Sequence, residues 1–195
     1  MKIKICLIGL YFTIFSNVCA MSSNTYSFEG NKLTLILAEK KDNFLDLGLY
    51  FQLQPGWKIY WVYPGDAGSP PKIKVEDKKL FKNHYLNWPM PTELFEEEIP
   101  LTTRIYENDI IIPLGIFLNE DTHLKKSLQL TVDYQICREV CIPISTDLTI
   151  TLPETNYLND ENTKKLQEYK IQVPKEISKS QKFSLNYIKK NLNEI

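Results

Sequence analysis

The sequence predicts an all-β chain, an antiparallel β-sandwich with a short, partly helical C-terminal tail. Three observations carry that expectation. Apolar and polar residues alternate at period two through much of residues 21–155, as they do in strands with one buried face. Pro-Gly pairs and a Gly/Ser/Pro-rich stretch interrupt the alternation at irregular spacing, which is the composition of turns. Helical spacing appears only beyond Pro153.

Residues 1–20 read as a secretory signal peptide. Lys2 and Lys4 precede an apolar run from Ile5 to Phe15, and Ser16-Asn17-Val18-Cys19-Ala20 ends in small residues; the segment is too short, with the wrong flanks, for a membrane span. A lipid anchor on Cys19 is disfavoured, because Ser16-Asn17-Val18 lacks the Leu and small residues expected before such a cysteine. Cleavage removes Cys6 and Cys19 and takes the formal charge from −1 to −3, leaving about 175 residues of mixed sign. That balance points to neither nucleic acid nor an anionic membrane as partner. The expected compartment is exported and oxidising.

From residue 21 to residue 155 the chain reads as one sandwich domain. Leu33, Leu35 and Leu37 mark a first strand; Leu45, Leu47, Leu49, Phe51 and Leu53, alternating with Asp46 to Gln54, mark a second. Pro55-Gly56 turns the chain into a strand carrying Trp57, Ile59 and Trp61, which ends at Pro64-Gly65; Asp66 to Pro71 is a loop by composition. Short strands are expected at Lys72–Val75 and at His84–Trp88, the latter broken by Pro89 and Pro91. The acidic stretch Glu93–Pro100 reads as a loop. Asp109–Leu118 is apolar on both faces, which suits a central strand despite Pro113. Leu128, Leu130, Val132, Tyr134 and Ile136 form one arm of a hairpin, and Leu148, Ile150 and Leu152 form the other. Eight or nine strands at irregular spacing suit an immunoglobulin-like sandwich. Residues 156–195 read as a helical and linker tail: a weak helix over Asn159–Lys170 capped by Asn159 or Asp160, with Leu166 and Tyr169 on one side, then a linker and a short final helix. The tail is expected to pack on the sandwich or on a partner.

The candidate chemistry lies at the hairpin tip, Cys137-Arg138-Glu139-Val140-Cys141-Ile142-Pro143. Extending the alternation by one residue puts Cys137 on the polar, solvent-side face. A disulfide across so small a ring contributes on the order of 2 kcal/mol, and a chain of this length buries a core without it. Exchange therefore suits the pair better than bracing, although an inert local disulfide and soft-metal ligation by two thiolates both stay open. In the metal reading, Cu(I) would take Met90 or a histidine as third ligand. Arg138 favours a thiolate at Cys137 and Glu139 opposes it. Hydrolase constellations are poorly supported: His84 and His123 are the two histidines, and neither lies in a triad or metalloprotease motif.

Several short motifs together resemble a known family. They are Trp57-Lys58-Ile59-Tyr60-Trp61, Pro64-Gly65-Asp66-Ala67-Gly68, Trp88-Pro89, Ile105-Tyr106 leading into Ile112-Pro113-Leu114, and Thr131-Val132-Asp133-Tyr134-Gln135 ahead of Cys137 and Cys141-Ile142-Pro143. Over roughly Phe28 to Pro153 the chain resembles the N-terminal periplasmic domain of the thiol:disulfide interchange protein DsbD, and more closely the variant in ScsB-type suppressor-of-copper-sensitivity proteins. The resemblance implies a periplasmic, immunoglobulin-like domain, without cofactor and monomeric. Its pair Cys137 and Cys141 would take electrons from a membrane-embedded thiol donor. It would pass them to periplasmic thioredoxin-fold proteins of the disulfide isomerase or cytochrome c maturation type, through a mixed disulfide. It further implies a cap at Glu97, Glu98 and Ile99, where the family has an aromatic in place of Ile99, and a supporting tyrosine at Tyr60. The cysteine spacing is shorter than in the best known DsbD domain and matches the ScsB type. With no multi-span membrane segment in the sequence, the electron donor is expected to be a separate protein.

Overall fold

The computed structural model describes residues 21–76, 79, 81–96, 100–119 and 127–175. The expectations for the signal peptide, for Glu97, Glu98 and Ile99, for His123 and for the chain beyond Lys175 lie outside the described residues.

Twelve strands and one helix stand among the described residues. In chain order they are β1 (Ser22–Phe28), β2 (Asn31–Lys41), β3 (Phe44–Gln52), β4 (Lys58–Gly65), β5 (Lys72–Val75), β6 (Phe81–Leu86), β7 (Thr92–Glu96), β8 (Leu101–Glu107), β9 (Ile110–Leu118), β10 (Ser127–Cys137), β11 (Cys141–Thr151), β12 (Tyr157–Leu158) and α1 (Asp160–Lys170). The first sheet runs β1-β2-β3-β9-β6, with β12 on β2; the second runs β11-β10-β4-β8-β7, with β5 on β10. The pairings are antiparallel, so the fold is the expected immunoglobulin-like sandwich.

Period-two patterning sets the core. Leu33, Leu35 and Leu37 of β2, Leu45, Leu47 and Leu49 of β3, and Ile112, Leu114 and Ile116 of β9 point inward from the first sheet. Leu128, Leu130, Val132 and Ile136 of β10, with Leu148 and Ile150 of β11, meet them from the second. At roughly 1.5–3 kcal/mol per fully buried aliphatic side chain, these faces outweigh any single local contact. Strand β9 is apolar on both faces because both are covered. Its outward Ile111 joins Ile36, Ala38 and Leu166 under α1, and Pro113 sits inside the strand opposite Gly48.

The helix forms where the sequence placed it. The Asn159 side chain caps it by accepting from the Asn162 N–H at 2.7 Å, and acidic residues in the first turn and Lys170 in the last suit the helix dipole. Lys170 reaches Asp46 of β3 at 2.5 Å. Buried Asn162 donates to the Leu37 carbonyl at 2.9 Å, so α1 is fastened to the first sheet by polar as well as apolar contacts.

Three expectations need correction. The described residues form twelve strands rather than eight or nine. Residues Thr92–Glu96 belong to a strand rather than a loop, since β7 pairs with β8 from Thr92↔Ile105 to Glu96↔Leu101. Strand β6 begins at Phe81 and stops at Leu86, before the Trp88-Pro89 pair. Short edge strands carry charge that blunts further pairing, and the acidic composition that hid β7 is of that kind.

Candidate functional site: a half-buried cysteine pair

Strand β10 gives the site its geometry. Cys137 and Cys141 form the last rung of the β10–β11 ladder, with Cα atoms 4.1 Å apart and a disulfide between them. Opposed residues approach this closely at non-hydrogen-bonded rungs. Two residues along, Pro143 stands opposite Gln135 at a rung of the same kind, where its missing N–H takes nothing from the ladder. The Arg138 N–H closes the tip on the Val140 carbonyl at 3.3 Å.

The alternation assigns Cys137 to the outer face of the second sheet, as expected, yet that face is not open to solvent there. Cys137 is 1% exposed, packed with Tyr60 of β4, Ile105 of β8 and, at the margin, Leu94 of β7. These side chains line up because Cys137 pairs with Lys58, Tyr60 with Ile105 and Leu94 with Thr103. The expectation of an exposed Cys137 is thus corrected by the strands laid beside it. Cys141 remains exposed, as does Val140, at 71%.

Tyr60 is brought directly to the sulfurs. Its hydroxyl lies 3.4 Å from Cys141 Sγ and 3.6 Å from Cys137 Sγ. Disulfide sulfurs carry no hydrogen, so the phenol is the donor, and its single proton can serve either sulfur. The other flank of the tip is held by Arg138, whose guanidinium carbon stands 5.3 Å from the centre of the buried Trp57 ring, a cation–π contact of about 0.5–1 kcal/mol at an exposed site. Sequence reasoning singled out Cys137, Cys141, Tyr60 and Arg138; it did not place Leu94 or the Ile105 of the Ile105-Tyr106 motif against Cys137, because that packing depends on strand order.

Residues 34–153 match the family model for the N-terminal domain of the thiol:disulfide interchange protein DsbD. The chain belongs to that family. Thiol–disulfide interchange is the chemistry for which that family is named, and this chain carries a bonded cysteine pair in its DsbD-type domain. The N-terminal periplasmic domain of ScsB from Proteus mirabilis shares the fold, with TM-score 0.66 and 19% identity over 80% of this chain and 60% of that one. The present chain therefore spans about 60% of that ScsB domain. The N-terminal domain of Neisseria meningitidis DsbD in its reduced form is 19% identical over 62% of this chain and 87% of that one, with TM-score 0.36. No curated protein sequence matches the chain.

Of the side chains that could complete a Cu(I) site in this DsbD-type domain, His84 and Met90 lie among the described residues. His84 lies on β6 of the first sheet, whereas both cysteines belong to the second. Met90 is 62% exposed, and its N–H donates to the Gln172 carbonyl beyond α1. Among the described residues no three His, Cys, Asp or Glu side chains gather to hold a metal.

Proposed function

We propose that this domain is a periplasmic carrier of reducing equivalents, working by thiol–disulfide exchange at Cys137 and Cys141. The observation that carries the reading is the unequal exposure of two bonded sulfurs, with a phenol hydroxyl beside both. A donor thiolate attacks the exposed Cys141 Sγ; the Cys137–Cys141 bond breaks, and Cys137 leaves as a thiolate beside the Tyr60 hydroxyl. The donor's second thiolate then attacks its own mixed-disulfide sulfur. The donor is thereby oxidised, and this domain is left with two reduced sulfurs. In the forward half, the Cys141 thiolate attacks the disulfide of an oxidised partner, and Cys137 resolves the mixed disulfide, returning two electrons to the partner.

By family likeness the donor is a membrane-embedded thiol relay, and the acceptors are thioredoxin-fold proteins of the isomerase or cytochrome c maturation type. The segment Glu97, Glu98 and Ile99 is proposed as the cap that restricts access to the pair, on the same likeness. The test is equilibration in glutathione redox buffers together with trapping. The reading expects a reduction potential above about −300 mV, and a Cys137→Ser variant that accumulates a mixed disulfide through Cys141 with an oxidised thioredoxin-fold protein. A more negative potential with no trapped species would make the disulfide a permanent brace.

A further inference from the structure

The Tyr60 ring lies beneath a loop that the exchange chemistry does not use directly. Strand β4 leaves its ladder with β8 after Tyr60↔Ile105 and returns only at Gly65↔Thr103. There the loop is clasped to Thr102 from both sides: the Asp66 N–H donates to the Thr102 carbonyl at 3.0 Å, and the Thr102 N–H donates to the Asp66 carboxylate at 2.8 Å. Gly65 has φ +92°, and a Cβ on it would stand 2.3 Å from the Thr102 oxygen. Gly68 follows with φ +97°, and a Cβ there would stand 2.3–2.4 Å from Cδ1, Cε1 and Cζ of Tyr60. The backbone at Gly68 thus lies against the Tyr60 ring as a roof, while Cys137 and Ile105 pack with the same ring. An L side chain at Gly68 is excluded twice, by its dihedral and by the ring.

We propose that Gly68 is a positioning residue for the exchange reaction. Pressed on the ring and held down by the Asp66–Thr102 clasp, it fixes the Tyr60 hydroxyl where it meets both sulfurs. This rests on the exchange reading given above. The hydroxyl favours the thiolate once the pair is reduced, and a displaced ring forfeits that bond.

The test compares Gly68→Ala, Tyr60→Phe and the double variant in the full chain. Two properties are read: the thiolate absorbance of the chemically reduced protein against pH, and the equilibrium constant against glutathione. Tyr60→Phe is expected to make the thiolate harder to form and reduction less favourable, by about threefold to tenfold, the span of one hydrogen bond. Gly68→Ala should move both in the same direction by a similar factor and add nothing when combined with Tyr60→Phe. Wild-type values in a folded Gly68→Ala protein, an equal further shift in the double variant, or no shift on Tyr60→Phe each overturn the proposal. Should Gly68→Ala fail to fold, Asp66→Ala loosens the clasp without straining a dihedral. It should give a smaller shift of the same sign that vanishes when Tyr60→Phe is also present, and wild-type behaviour there overturns the proposal equally. If glutathione cannot reduce the wild-type pair, the exchange reading fails, yet thiolate titration after chemical reduction still reports whether Gly68 acts through Tyr60.

Discussion

Cys137 and Cys141 share one disulfide at the end of one ladder, and yet Cys137 is 1% exposed while Cys141 lies open to solvent. The difference comes from their neighbours. Cys137 has β4 and β8 beside it, carrying Tyr60 and Ile105, whereas among the described residues β11 is the last strand of its sheet and leaves Cys141 at the edge. Reactivity of a thiol follows access as well as thiolate fraction. In the reduced protein, a brief pulse of iodoacetamide should modify Cys141 faster than Cys137 by ~10-fold or more, read by mass spectrometry of the digested chain. Equal labelling would mean that reduction uncovers Cys137, and the assignment of Cys141 as the attacked sulfur would then lose its basis.

The central part of this architecture was readable from the chain. Alternation placed β2, β3, β10 and β11, and two-sided apolarity placed β9 in the middle of its sheet despite Pro113, because these signals are local and each strand carries its own. What escaped was whatever depends on neighbours distant in sequence. Nothing in Thr92–Glu96 marks it as a strand until Glu93 stands beside Arg104 of β8, with the two charges 3.5 Å apart. Parity gave Cys137 the right face, but its burial comes from Tyr60, Ile105 and Leu94. The stretch from Asp66 to Pro71 was legible as a loop; the approach of Gly68 to the Tyr60 ring was not.

One side chain closes the sandwich at a corner. Asn24 of β1 donates to the Asp147 carbonyl at 3.0 Å and accepts from the Thr149 N–H at 2.7 Å, so its amide bridges β1 to the backbone of β11. It lies where the β1–β2 register shifts between Ser22 and Thr25. Asn24→Ala removes both bonds across the two sheets and should lower stability by about 1–2 kcal/mol, measured by urea unfolding, with the exchange properties of the cysteines unchanged. Asn24→Asp is the sharper comparison, because a carboxylate still accepts from Thr149 but cannot donate to Asp147. It should fall no closer to wild type than to Asn24→Ala. Wild-type stability in both variants would show that the bonds exchange freely with water.

Alkaline pH should unfold the domain through its tyrosines. Tyr50 of β3 donates to the Asp109 carboxylate at 2.6 Å, and the Tyr169 hydroxyl of α1 donates to the Asp109 carbonyl at 3.1 Å. Burial, and then the bond to Asp109, push the Tyr50 phenol from 10.0 up to about 12, and burial pushes Tyr106 and Tyr134 higher still. A group whose folded pKa lies above its unfolded value gives its full contribution below the unfolded value, near pH 10. It loses that contribution as pH rises through the folded value, because the unfolded chain ionises first. For Tyr50 the window is therefore about pH 10 to about pH 12. Urea midpoints should be flat with respect to this group below about pH 10 and fall above it. Tyr50→Phe, which has no phenol to ionise, should be less stable than wild type near neutrality and should fall less steeply across that window. If the variant and the wild type decline in parallel from about pH 10 to about pH 12, the Tyr50 phenol is not held protonated by burial and Asp109, and alkaline unfolding is driven by the other raised tyrosines, Tyr85, Tyr106, Tyr134 and Tyr169.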